Sequence, residues 1–223
     1  MDNNGFPTVK KQGINYLTDK NEKIVKFKPW LGDLFSPLYD WSMKKTVVPK
    51  KFGASYDKHF SILKVFFKDV HNKDVLEFAT GSGSVVDFLP ADNRYCGVDI
   101  SKGLLKQALK KFQKHRFEEV ELYLADACNL PFENGRFDVA ICNLSFNFIE
   151  NADAFIRELK RVLKTGGIFF CSVPVPERKP EKSRIHGTLY SETELKELFE
   201  NQLFAFQSLP ETNGAILYFT AYL

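Results

Sequence analysis

Between residues 74 and 175 the chain alternates short apolar runs with longer amphipathic stretches. Val75-Leu76-Glu77-Phe78, residues 94–100, 120–125, 138–143 and 168–173 read as strands buried on both faces, the look of a parallel sheet. Helices are predicted between them. One runs from Ser101, its N-cap, to about His115, burying Leu104, Leu105, Ala108, Leu109 and Phe112; a second spans about Ala152 to Leu163. Alternation of this kind calls for right-handed crossovers in one α/β sheet. The last fifty residues change pattern. Ser191-Glu192-Thr193-Glu194 is a capping box opening a helix over 195–200. Two apolar strands follow, 203–209 and 215–223, and Asn213-Gly214 between them signals an antiparallel hairpin.

The beginning of the chain is different. Residues 1–26 are polar and lysine-rich and read as a loosely ordered arm. Phe27, Trp30, Phe35, Tyr39, Trp41, Phe52, Tyr56 and Phe60 then place eight aromatics in 34 residues. Ser36-Pro37 can open a helix. Another is predicted over 55–69, with Tyr56, Phe60, Leu63 and Phe67 on one stripe.

The chemistry gathers at the first parallel strand. Thr80-Gly81-Ser82-Gly83 follows it as a tight turn where backbone can approach a ligand. Ser84 is placed to N-cap a short helix over 85–89 that Pro90 stops. The second strand ends in Asp99, an acid positioned to accept hydrogen bonds from ribose hydroxyls, in a crevice and not in the core. A dinucleotide fingerprint is incomplete, because Val86 stands where a third glycine belongs. A Walker-type loop is absent too, since no Gly-Lys-Ser/Thr follows.

The pattern that does fit is acid-x-small-x-Gly-x-Gly: Glu77, Ala79, Gly81, Gly83. It resembles the first motif of the class I S-adenosylmethionine-dependent methyltransferases. Gly97-Val98-Asp99-Ile100-Ser101 is similar to that family's ribose motif; Ala125-Asp126-Ala127 with Leu130-Pro131-Phe132 is similar to its adenine motif. Residues 137–142 and 159–167 resemble its fourth strand and the helix and turn before its fifth. The likeness covers roughly residues 72–175 in the right order, and is nearest the small-molecule branch that includes quinone-biosynthesis enzymes. Ala79 departs from the usual glycine. A positive φ there costs about 1–2 kcal/mol.

The resemblance implies a Rossmann-like sheet of seven mostly parallel strands with an antiparallel C-terminal hairpin, helices on both faces and an N-terminal helical cap. It divides the chain into an arm and lid, 1–70, and a cofactor-binding domain, 71–223. It implies S-adenosyl-L-methionine as cofactor, held by Glu77, Ala79, Gly81, Gly83, Asp99, Ile100, Asp126, Ala127 and Asn143. No metal is implied. Methyl transfer from a sulfonium is an in-line displacement that asks mainly for alignment and a dry site. If the acceptor must lose a proton, the candidate bases are His186, Tyr190 and Tyr39, with Asn147 as an orienter.

Composition limits the alternatives. Of 223 residues 44% are hydrophobic and 26% charged, with four cysteines that lack metal spacing; the expectation is a cytoplasmic protein with reduced thiols. No apolar run reaches the roughly 20 residues of a membrane span. A net charge of +3 is too small to indicate a polyanionic partner. The lysines at 102, 106, 110, 111 and 114 read as a solvated helix face. Asn143-Leu144-Ser145-Phe146-Asn147 lacks the signature of base-methylating enzymes. The resemblance to the small-molecule branch implies a small-molecule methyl acceptor as the partner. An RNA or protein methyltransferase would draw on Lys44, Lys45, Lys50 and Lys51 near the pocket mouth. A non-catalytic nucleotide-binding protein on the same fold would have lost an acid or both glycines, and none is lost.

Overall fold

The computed structural model describes residues 7–27 and 36–223. Trp30 and Phe35, two of the clustered aromatics, lie outside the described residues. Nine strands form one sheet in the order β1-β2-β5-β4-β3-β6-β7-β9-β8. The central five are parallel: β3 (Asp74–Phe78), β4 (Arg94–Asp99), β5 (Val120–Leu124), β6 (Phe137–Asn143) and β7 (Leu163–Pro174). Between them run α3 (Lys102–Lys114) and α4 (Ala152–Val162). At the far edge β8 (Ala205–Ser208) and β9 (Ile216–Tyr222) pair antiparallel, after α5 (Glu192–Glu200). Both halves of the Ser191/Glu194 capping box are made.

Three expectations need correcting. Residues 8–17 are not a loose arm. β1 (Thr8–Lys11) and β2 (Ile14–Leu17) form a hairpin, and β2 pairs parallel with β5, so the sheet has nine strands and not seven. Ile14, Tyr16 and Leu17 are buried there, and that burial offsets the entropy of ordering a polar segment. The helix expected after Ser84 is a single 3-10 turn, Ser84–Asp87; Gly83 occupies its cap position with φ +76° and no side chain caps it. Gly166-Gly167 do not separate helix from strand. Leu163 already turns extended and pairs with Phe137, so the glycines lie inside the β7 stretch.

The two faces of the sheet carry the core. On one, Phe78, Phe155, Phe169, Phe199 and Phe219 pack with α4 and α5. On the other, Phe67, Val75, Leu105, Phe112 and Phe170 pack with α3 and with α2 (Tyr56–Phe67). Before α2 a short helical turn, α1 (Tyr39–Ser42), runs into wider π-type turns over Met43–Lys51. Pro49 sits inside those turns. It has no N–H to give, and Phe52 N bonds back five residues to Val47 O at 3.1 Å.

Phe155 touches Phe78 edge-on at 4.6 Å between ring centroids and is fully buried. Phe155→Ala should lower unfolding free energy by about 3–5 kcal/mol in urea titration. Trp41→Ala, at a residue 63% exposed, should move it by less than about 0.5 kcal/mol. Equal effects would contradict this packing.

Candidate functional site

The chain leaves β3 toward β4 on one side and returns to the other side with β6, and at such a reversal the carboxyl ends of the strands leave a crevice. The turn after β3 forms its floor. Ala79 takes φ +51° and Gly81 φ +58°, so the strain foreseen for alanine is present. The two loop glycines do different work. A Cβ on Gly81 would meet nothing nearer than 3.8 Å, so this backbone is open to a ligand. A Cβ on Gly83 would lie 2.9 Å from Ala108, so Gly83 is small because α3 packs there.

Asp99 ties the turn to the next strand. Its Oδ2 accepts from Gly81 N at 2.7 Å and its Oδ1 from Ser101 N at 2.7 Å. The residue is 9% exposed, so the picture of an acid standing clear in a crevice is corrected: the carboxylate also holds the fold. Ile100 beside it is exposed. Asp126 is exposed, with Oδ1 accepting from Cys128 N at 2.9 Å, and Ala127 is half-buried behind it.

Above the floor sits α1. Ser82 Oγ donates to Asp40 Oδ1 at 2.5 Å, and Lys111 Nζ reaches Asp40 Oδ2 at 2.6 Å. Lys111, expected on a solvated face, thus helps hold α1 down. Tyr39, Asp40, Met43, Tyr56, His59 and Phe60 face Glu77, Ala79, Gly81 and Asn143 across the cleft. The cleft between them holds about 40 Å³. That is room for a few waters and not for a nucleoside.

Asp40 and Glu77 line the cleft, and Lys111 Nζ reaches Asp40 and Ser82 from behind it. Burial, reinforced by the charge of Asp99, pushes the Glu77 carboxyl up to about 8 against the hydrogen bond it accepts from the Tyr95 hydroxyl. Burial first, then Asp99, Asp40 and Glu77, raise the Tyr39 phenol far above its ordinary range.

The four candidates for proton handling scatter. Tyr39 lines the cleft, but a phenol so raised keeps its proton at neutral pH and is no base. His186 is exposed, and only its carbonyl is used, accepting from Asn147 Nδ2 at 2.6 Å. Tyr190 is half-buried and packs on Phe146 at 5.8 Å, away from the cleft. Asn147 is buried and pins the 186–188 loop, without lining the cleft. The residue that sequence reasoning passed over is His59. It is fully buried, lines the cleft, and bonds Tyr218 Oη through Nδ1 at 2.9 Å and Asn143 Oδ1 through Nε2 at 3.0 Å. Burial pushes its pKa down to about 4. The signal available was a lone histidine on the apolar stripe of a predicted helix.

Among the described residues no group of His, Cys, Asp and Glu could hold a metal, and no helix is long and apolar enough to cross a membrane. The four cysteines are unpaired, three of them buried.

The methyltransferase-domain family matches residues 76–171. A demethylmenaquinone methyltransferase of Bacteroides fragilis is 27% identical over 155 residues, 66% of this chain and 62% of that protein. The human thiol S-methyltransferase TMT1A is 27% identical over 148 residues, 61% of each chain. This chain therefore matches about three-fifths of the length of these relatives. The crystal structure of a SAM-dependent methyltransferase from Aquifex aeolicus superimposes with a TM-score of 0.60 at 17% identity, covering 83% of this chain and 96% of that one. The last likeness establishes the fold.

Asp99→Asn offers one oxygen where two backbone N–H groups now find acceptors, and turns its amide toward the other. It should cost about 1–3 kcal/mol of stability without any ligand. Unfolding at unchanged denaturant midpoint would contradict the bracing role.

Proposed function

We propose that this chain is a class I S-adenosylmethionine-dependent methyltransferase that moves the methyl group of that cofactor to a small-molecule acceptor, a reading supported by the methyltransferase-domain match and the relatives. The observation that carries the reading is the open glycine turn at the end of β3 under a cleft lined by Glu77 and Asp40, the latter bonded by Lys111 from α3. A phosphate-bearing ligand needs cationic or N–H donors there. A sulfonium with an ammonium group gains from acids at low dielectric. The acceptors in the relatives' names, a demethylmenaquinone and a thiol, point to small molecules.

In this reading Asp99 would hold the ribose hydroxyls, Ile100, Asp126 and Ala127 the adenine, and Gly81, Glu77 and Asn143 the amino-acid end. Bound there, the cofactor supplies an already activated methyl on a positive sulfur, so the protein's share is alignment and exclusion of water. Tyr39, Met43, Tyr56 and Phe60 supply the exclusion. Tyr56, its hydroxyl pushed up to about 12 by burial and then by Asp40, keeps its proton as Tyr39 does. At neutral pH Tyr39, Tyr56 and Glu77 keep their protons, and both ring nitrogens of His59 are taken by Tyr218 and Asn143. The acceptor is then one that reacts without a histidine or tyrosinate.

Calorimetry should show binding of S-adenosylmethionine and S-adenosylhomocysteine and none of NAD. The titration of Glu77 supplies a second readout. Its folded pKa of about 8 lies above the ordinary 4.5, so the unliganded fold binds the extra proton, and burying Glu77 weakens stability progressively as pH rises between those values. A cation placed beside it favours the charged form. Binding of S-adenosylmethionine at neutral pH should therefore release up to about one proton, seen as buffer-dependent heats, and Glu77→Gln should abolish the release. Proton uptake, or tighter binding of a nicotinamide dinucleotide, would sink the reading.

A further inference from the structure

We infer that His59 is a positioning residue: it fixes the side-chain amide of Asn143 so that Nδ2 faces the cleft as a donor for the carboxylate of the cofactor's amino-acid end. The inference rests on the cofactor reading above for the ligand, and on the structure alone for the geometry.

The argument is an accounting of protons along one buried chain. Asn213 is fixed by the backbone of Ser55: its Oδ1 accepts from Ser55 N at 2.8 Å and its Nδ2 donates to Ser55 O at 2.9 Å. The same Nδ2 donates to Tyr218 Oη at 3.3 Å. Tyr218 is fully buried, so its own proton needs an acceptor, and the remaining partner is His59 Nδ1 at 2.9 Å. Nδ1 is thus the acceptor nitrogen. The neutral ring carries its proton on Nε2 and donates it to Asn143 Oδ1 at 3.0 Å. Ser172 Oγ, which accepts from Leu144 N at 3.2 Å, donates its proton to the same Oδ1 at 2.7 Å. Two donors hold Oδ1, so the amide cannot turn over without setting donor against donor.

Asn143 lines the cleft and is only half-buried, and its Nδ2 takes no partner among the described residues. In a cleft otherwise walled by Glu77 and Asp40, this is a fixed donor. A zwitterionic end would be sorted by that contrast: ammonium toward the acids, carboxylate toward Asn143. The chain links Ser55 at the start of α2, β9, β7 and β6, so four elements set one amide.

The test has a spectroscopic and a binding part. Long-range proton–nitrogen correlation spectra of the full chain at neutral pH should show His59 neutral with its proton on Nε2. A proton on Nδ1 overturns the assignment. This part uses no ligand, so it decides the inference even if wild type binds no adenosyl compound, an outcome that would fail the cofactor reading instead. For binding, S-adenosylhomocysteine is compared with 5′-methylthioadenosine, which lacks the amino-acid end. Asn143→Asp should weaken the first about tenfold or more, and the second by less than about twofold. His59→Phe should weaken the first about three- to tenfold with the second unchanged, and His59→Gln, which can accept and donate in the same sense, should recover most of that loss. Tyr218→Phe gives the same comparison if His59→Phe does not fold. Equal losses for both compounds, or no loss for S-adenosylhomocysteine, overturn the proposal.

Discussion

The site depends on a carboxylate that does two jobs. Asp99 closes β4 and takes the N–H groups of Gly81 and Ser101, one on each oxygen. The first bond holds the turn after β3 in the left-handed conformations that expose its backbone; the second sets the start of α3, where Ser101 Oγ accepts from Leu104 N at 3.2 Å. Charged hydrogen bonds of this kind contribute roughly 1.5–3 kcal/mol each. Their strain-bearing partner is Ala79, whose positive φ has a cost of about 1–2 kcal/mol. An acceptor strong enough to hold the turn is also strong enough to take hydroxyls from a ligand.

Around Asp99 the protein has collected groups that resist charge. Glu77 sits at 2% exposure and holds its proton well above the usual carboxylate range, with the Tyr95 hydroxyl bonded to it. Tyr39 hangs over the same space. Uncompensated negative charge in a low-dielectric cleft is costly, and a cation relieves it. α1 is meanwhile held by Asp40, bonded by Ser82 and Lys111. Two partly exposed contacts of that kind are worth little each.

Much of this was legible in the sequence, where local chemistry was decisive. The strand-turn-strand unit, Asp99 at its end, the capping box at Ser191 and the final antiparallel pair all declare themselves within a few residues. What was not legible depended on distant partners. The β1–β2 hairpin is a polar segment stabilised by an edge more than a hundred residues away, as the Asn15 Nδ2 bond to Leu122 O shows. Gly83 looks like Gly81 until Ala108 is seen behind it. His59 reads as an oddity on an apolar stripe until Tyr218 and Asn143 close on it from β9 and β6. The candidates His186 and Tyr190 were chosen by residue type, and the fold takes both away from the cleft.

The central claim is that an adenosyl cofactor enters beneath α1 and lies over Asp99 and the glycine turn, whose mutual bond it leaves in place. A crystal structure with S-adenosylhomocysteine tests it most directly. The account requires the ribose hydroxyls on the Asp99 carboxylate, the Gly81 N–H still bonded to it, and Tyr39 with Asp40 displaced from their present contacts. Ligand density elsewhere, or Tyr39 and Asp40 unmoved over an unfilled cleft, would contradict it.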